Sequence, residues 1–218
     1  MVVAEEIDAA QVFEAELISR QKAMHEATAR GDSAVQQFYN NAVVFVTGGS
    51  GFLGKQLIEK LFRATNISKA FVLLRSKKGK SIEERLKDML DDPVFDLVRA
   101  QKPKFEEKIV PVEGDVAELR LGLSNKDWNM VSEQTEIVFH GAATTRFDEC
   151  LRVSTMINVR GTREALLLGK ACKKLKFFQV LCPRFNSILL CLQELNQHRG
   201  AGTVLPKPHR AGDLDQVG

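Results

Sequence analysis

Thr47-Gly48-Gly49-Ser50-Gly51-Phe52-Leu53-Gly54 puts glycines at 48, 51 and 54, a T-G-x-x-G-x-x-G spacing, immediately after an apolar run. Each glycine has its own physical use there. Gly48 permits a tight turn, Gly51 lets backbone N–H groups approach a pyrophosphate at a helix N-terminus, and Gly54 lets helix and strand pack closely. The spacing alone is weak; between a buried strand and an amphipathic helix it predicts a dinucleotide site. Roughly twenty residues further on, an NAD site would offer an acid to the ribose hydroxyls. The chain instead has Arg75, Ser76, Lys77, Lys78 and Lys80, with no acid among them. Positive charge at that strand end suits a 2′-phosphate and predicts NADPH as the cofactor, although Lys78 and Lys80 also fit an ordinary solvated charge run.

Three further clusters follow the glycines. Gly114-Asp115-Val116 offers a carboxylate that can accept from an adenine amino group, but Asp115 taken singly reads as an Asx-type turn residue rather than a ligand. His140-Gly141-Ala142-Ala143 supplies small residues where backbone must run beside a cofactor, with His140 reading as a packed strand-end histidine rather than a catalyst. Asn158, in Asn158-Val159-Arg160-Gly161-Thr162, falls mid-helix, where asparagine is a poor helix former and a buried hydrogen-bonding role is expected. The four cysteines and four histidines are scattered without a C-x-x-C pair, so neither a metal site nor a disulfide framework is signalled.

The elements that must position these residues alternate regularly. Apolar runs at Ala42–Thr47, Ala70–Leu74, Ile109–Val112, Glu136–His140 and Lys176–Val180 read as five strands. Between them, Leu53, Leu57, Ile58, Leu61 and Phe62 share one helical face, and Ser81 with Glu84 forms a capping box that opens a charged helix. Asp92-Pro93 breaks that helix, Ser124 caps another carrying Trp128, Met130 and Val131, and a helix around Leu151–Cys172 precedes the fifth strand. Strand-helix alternation predicts an α/β doubly wound parallel sheet of the NAD(P)-binding Rossmann type, interrupted after about the fifth strand.

Three segments are expected: an N-terminal helical extension over 1–37, a partial NADPH-binding domain over 38–180, and a divergent tail over 181–218. The extension has apolar residues near helical spacing at Ile7, Ala10, Phe13, Leu17 and Met24 and ends at Gly31-Asp32-Ser33. In the tail, Ile188, Leu189, Leu192 and Leu195 fit one helix within Asn186–Asn196, while Gly200–Gly218 is rich in Gly and Pro and reads as coil. A net charge of +3 is too near balance for a nucleic-acid binder. Glu5, Glu6 and Asp8 stand where a secretory signal needs a basic start, and no apolar run reaches bilayer-spanning length. An intracellular setting is the default expectation.

The ordered set TGGSGFLG, LLRSKKGKSIEERL, KIVPVEGDV, LGLS, VFHGAATTRFDE and NVRGTRE resembles the N-terminal Rossmann domain of the alcohol-forming fatty acyl-CoA reductases, of the extended short-chain dehydrogenase/reductase superfamily. The likeness runs from about Phe38 to Val180. It implies NADPH-dependent reduction of a long-chain acyl-CoA through an aldehyde to a fatty alcohol and free CoA. It also implies that Thr47, Gly48, Gly51, Phe52, Leu53 and Gly54 line the pyrophosphate and Arg75 the 2′-phosphate. Asp115 and Val116 would meet the adenine, Ala142 and Ala143 the nicotinamide ribose, and Asn158 would match the structural asparagine. Full-length relatives are associated with peroxisomal or endoplasmic reticulum membranes.

The chain departs from the family's pattern after Val180. There the family has a Ser or Thr and then a Y-x-x-x-K pair that delivers the proton; here Leu181-Cys182-Pro183-Arg184 matches nothing, and Tyr39, before the first strand, is the single tyrosine. No catalytic residue is therefore assigned. The expectation is a truncated reductase, with two alternatives: a non-catalytic NADPH-binding module or an inert product.

Overall fold

The computed structural model describes residues 9–76, 79–146, 148–181 and 189–190. A long helix, α1 (Ala9–Arg30), ends where Gly31 takes a φ of +81°, a left-handed conformation that favours glycine. A short helix absent from the sequence reading follows. This is α2 (Ala34–Tyr39), started by a capping box between Ser33 and Gln36.

Then the alternation begins. β1 (Val43–Thr47), α3 (Phe52–Ala64) and β2 (Lys69–Leu74) form the first βαβ unit. α4 (Ile82–Leu90) opens on the expected Ser81/Glu84 capping box, and α5 (Asp96–Gln101) follows a single 3-10 turn that carries Pro93. Next come β3 (Ile109–Glu113), α6 (Asn125–Gln134) with Ser124 as its N-cap, and β4 (Ile137–His140). The helix expected around Leu151–Cys172 consists of α7 (Leu151–Ser154), a π-helical stretch at Thr155–Arg160, and α8 (Gly161–Ala171). β5 (Phe177–Val180) completes the parallel set, and β6 (Leu189–Leu190) is added at the end.

The sheet order is β3-β2-β1-β4-β5-β6, with β1 to β5 parallel. The expected doubly wound α/β sheet is thus present. Alternate residues of each strand feed two cores, as the period of 2 requires. Val44, Val46, Val72 and Phe139 pack with Ile58, Leu61 and Phe62 of α3 and Met89 of α4 on one face. Phe45, Phe71, Val138 and Phe178 pack with Val131 of α6 and Ala165 and Leu168 of α8 on the other. Pro111 sits in β3, which pairs with β2 alone, consistent with proline's restriction to strands with a free edge.

The tail corrects one expectation. Leu189 and Leu190, which helical spacing places in a helix, pair antiparallel with Gln179 and Phe178 instead. The edge of β5 offers unpaired N–H and C=O groups, and two leucines on that edge satisfy them where a short helix without packing is marginal. The outer edge of β5 is accordingly covered at those two positions. The other expectations for residues 182–218, and those for Lys77 and Lys78, lie outside the described residues. Among the described residues no helix is long and apolar enough to cross a membrane.

Candidate cofactor site

In a parallel sheet every strand ends at the same edge, so the loops after β1, β2, β3 and β4 meet there. Those loops carry Thr47–Gly54, Arg75, Asp115–Val116 and Ala142–Ala143. Four stretches selected from the sequence are therefore brought together by topology alone. β1 lies between β2 and β4, so its loop is central, at the point where the strand order reverses and ligands bind in such sheets.

The glycines are sterically required. Gly48 has φ +74°, and a Cβ there would lie 2.6 Å from the carbonyl carbon of Gly141, so the turn after β1 presses on the turn after β4. A Cβ on Gly54 would come within 2.2 Å of the Gly48 carbonyl oxygen and 2.6 Å of the Gly49 Cα. Gly51 is looser, its Cβ site being 3.2 Å from the same oxygen. Gly51 is also the N-cap of α3 and has no side chain to cap the helix, which leaves the first-turn N–H groups to an outside acceptor. Phe52 and Leu53 are 75% and 54% exposed beside them, apolar surface that a bound ligand would cover. A helix N-terminus left open in this way presents N–H groups and a positive dipole end that can accept an anion.

On the β4 side, Thr47 is fully buried and its Oγ1 lies 2.8 Å from His140 Nδ1, while the Ala142 N–H donates to the same Oγ1 at 3.2 Å. Asn158 binds the backbone of Thr144 in both directions, accepting from its N–H at 2.9 Å and donating to its carbonyl at 3.1 Å. Its side chain is exposed, which corrects the expectation of burial. Asn158 lies within the π-helical stretch, and its amide reaches that backbone from the surface.

Arg75 and Asp115 face one another, with Nη1 3.6 Å from Oδ2. Asp115 Oδ1 also accepts the Ala117 N–H at 2.9 Å, so the Asx-type turn is present as well and one carboxylate oxygen is committed to it. Arg75 is 60% exposed, leaving its guanidinium accessible to a second anion. Val116 packs under α8, where a Cβ on Gly161 would meet its carbonyl oxygen at 2.9 Å.

Two supporting residues escape the sequence reading. Gly49 occupies a variable position of the motif, yet a Cβ there would lie 2.5 Å from Val72 Cγ1; no sequence signal marks it, because the constraint comes from β2. Glu164 is buried, and its Oε2 accepts the Arg120 N–H at 2.9 Å. Arg120, Leu121 and Gly122 all have positive φ, and the Leu121 carbonyl receives the Asp115 N–H, so Glu164 pins the left-handed turn that shapes the Asp115 loop. A signal for it exists, since Glu164 shares the buried stripe of α8 with Ala165 and Leu168.

His140 is 1% exposed, and burial pushes its pKa from 6.5 down to about 4. A histidine held neutral in the fold contributes stability that is fully present above the unfolded value of 6.5 and is lost as pH falls toward 4. The expected loss across that window is about 3 kcal/mol. NMR titration should show the His140 ring not titrating between pH 8 and pH 5, and a ring pKa near 6.5 would refute this.

Among the described residues no group of three His, Cys, Asp or Glu side chains is placed to hold a metal ion. A separate cavity of about 240 Å³, lined by Phe62, Thr65, Lys102 and Phe105 among others, lies near the amino ends of β2 and β3, away from the glycine loop. There the Lys102 ammonium donates to the carbonyls of Phe62 and Thr65 at the end of α3, a helix-capping task.

The comparisons with known proteins bear on the family and the fold. A family profile described as male sterility protein matches residues 46–186. The fatty acyl-CoA reductase wat of Drosophila melanogaster is 42% identical over 147 residues, which are 67% of this chain and 28% of that protein. Human fatty acyl-CoA reductase 1 is 38% identical over 146 residues, 66% of this chain and 28% of its own length. The chain thus spans little more than a quarter of the relatives it matches. Among solved structures, the terminal R domain from the myxalamid PKS-NRPS biosynthetic pathway superposes with a TM-score of 0.54 at 29% identity, covering 65% of this chain and 34% of that one. Glycine loop, strand-end loops and extended sequence similarity lead to one assignment: the chain belongs to the male sterility protein family of NAD(P)-binding reductases, to which the fatty acyl-CoA reductases belong.

Proposed function

We propose that these residues form the NADPH-binding part of a reductase that converts long-chain fatty acyl-CoA to fatty alcohol and CoA. The observation that carries the cofactor is the open N-terminus of α3, bounded by glycines whose Cβ positions are filled by neighbouring backbone. The pyrophosphate would lie against Gly48, Gly51, Phe52, Leu53 and Gly54, with Thr47 supporting the turn. Arg75 would take the 2′-phosphate and Asp115 with Val116 the adenine end, while Ala142, Ala143 and Asn158 would border the nicotinamide ribose. The cofactor supplies the hydride; these residues bind and orient it. The acyl-CoA substrate is carried over from the relatives, and a purely NADPH-binding role is the second reading, favoured by the single tyrosine.

NADPH should bind more tightly than NADH in calorimetry on the purified chain, and Arg75→Ala should narrow the difference by about 1–3 kcal/mol, the worth of a charge-assisted hydrogen bond. Equal affinities for the two cofactors before any mutation would refute the assignment of Arg75.

A further inference from the structure

His140 sits between two hydroxyls, and the hydrogen bonds around them leave one proton arrangement. Thr162 Oγ1 donates to the Asn158 carbonyl at 2.7 Å and lies 3.2 Å from His140 Nε2. A hydroxyl has one proton, and here the Asn158 carbonyl takes it, so Nε2 must carry a hydrogen and donate to Thr162. Nδ1 is then an acceptor in the neutral ring. Thr47 Oγ1, which already accepts from the Ala142 N–H, donates its own proton to Nδ1. The chain runs unbroken from Ala142 N–H to Thr47, His140, Thr162 and the Asn158 carbonyl, while the Asn158 side chain returns to Thr144 in the same loop as Ala142.

We propose that His140, as the neutral Nε2–H tautomer, is a positioning residue for the cofactor. It locks residues 141–144 between β1 and the π-helical stretch. This rests on the reading above that Ala142 and Ala143 border the nicotinamide ribose. The geometry explains why the ring is there: an aliphatic residue would fill the same buried strand end but could not join two hydroxyls on opposite sides of it. It also gives the π-helical stretch a purpose. Gly161 N–H bonds to Met156 O, an i to i−5 step, and the Asn158 carbonyl receives a side-chain hydroxyl of the next turn. The groups meeting the ring are hydroxyls, and burial is the one cause of its lowered pKa, so charge pairing is not what retains it.

The test uses the full 218-residue chain and three readouts. Nitrogen-15 NMR of the ring should show Nε2 protonated and Nδ1 bare. Thr162→Val, which keeps shape and removes the hydroxyl, should disturb that tautomer, speed amide exchange at residues 142–144, and weaken NADPH about tenfold, the value of one net hydrogen bond. Thr162→Ser should restore all three. A ring protonated at Nδ1 in the unaltered chain, or Thr162→Val binding NADPH as tightly as the unaltered chain, would overturn the positioning role. If the unaltered chain binds neither NADPH nor NADH, the cofactor reading itself fails and takes the positioning role with it.

Discussion

Gly54→Ala should be severely damaging for a single added methyl, lowering stability by about 3 kcal/mol or more and removing measurable NADPH binding. The obstructing atoms belong to backbone, the Gly48 carbonyl oxygen at 2.2 Å and the Gly49 Cα at 2.6 Å, so no side-chain rotation relieves them. Relief requires α3 to lift away from the turn after β1. That helix supplies Ile58, Leu61 and Phe62 to one core and its N-terminus to the proposed pyrophosphate, so packing and binding fail together. The other glycines calibrate the result. Gly79 also has positive φ, at +83°, but nothing lies within 4 Å of its Cβ site, so Gly79→Ala should show only left-handed strain, about 1–2 kcal/mol. Gly51→Ala, with 3.2 Å available and φ −79°, should fold nearly normally and lose mainly cofactor affinity. Thermal unfolding and calorimetry on the three variants give the ranking, and a Gly54→Ala protein with unaltered melting and binding would refute it.

That glycine series also marks how much the sequence could disclose. The strands were legible because runs such as AVVFVT have one physical home, a sheet buried on both faces, and parallel pairing then sends every motif-bearing loop to one edge. Gly54 was legible because its constraint arises within the same strand-turn-helix unit, and Gly48 because its positive φ belongs to that unit's turn, although the backbone that crowds it is that of Gly141 after β4. Gly49 was not, since its constraint is Val72 on a neighbouring strand. Glu164 could be marked as a buried acid by its place on the apolar stripe of α8, but not its task, because its partner is the backbone of Arg120, far away in the chain. Asn158 was found by its awkward position in a helix, but only the π-helical stretch shows that it works from an exposed side. β6 could not be foreseen because Leu189 and Leu190 fit a helix and a strand equally, and the choice depends on the edge that β5 presents.

The purified chain, supplied with NADPH and long-chain acyl-CoA, is expected to form no fatty alcohol above background, because among the described residues nothing is placed to deliver the proton. Tyr39 is the one tyrosine, and four residues beyond it stands Val43 rather than a lysine. Tyr39 ends α2 and enters β1 from its amino end, whereas Gly48, Arg75, Asp115 and Ala142 all lie at the carboxyl ends. The strand between is five residues long, a separation of roughly 15 Å at the rise of an extended chain. Its environment is also wrong for the task. The ring packs edge-on against Phe38 at 5.1 Å, and burial raises the phenol's pKa, opposite to the shift that a neighbouring lysine produces in a proton-donating tyrosine. His140 is no substitute: at pH 7 it is neutral, buried, and bonded through both ring nitrogens. A positioned acid commonly contributes about 10²–10⁴ in rate, and none stands among the described residues to supply that factor. Mass spectrometry of the reaction mixture gives the answer, run on protein already shown by calorimetry to bind NADPH so that inactivity cannot be blamed on misfolding. Fatty alcohol that accumulates in proportion to the chain would mean that residues 181–218 contribute a proton donor, and the restriction of this chain to cofactor binding would be wrong.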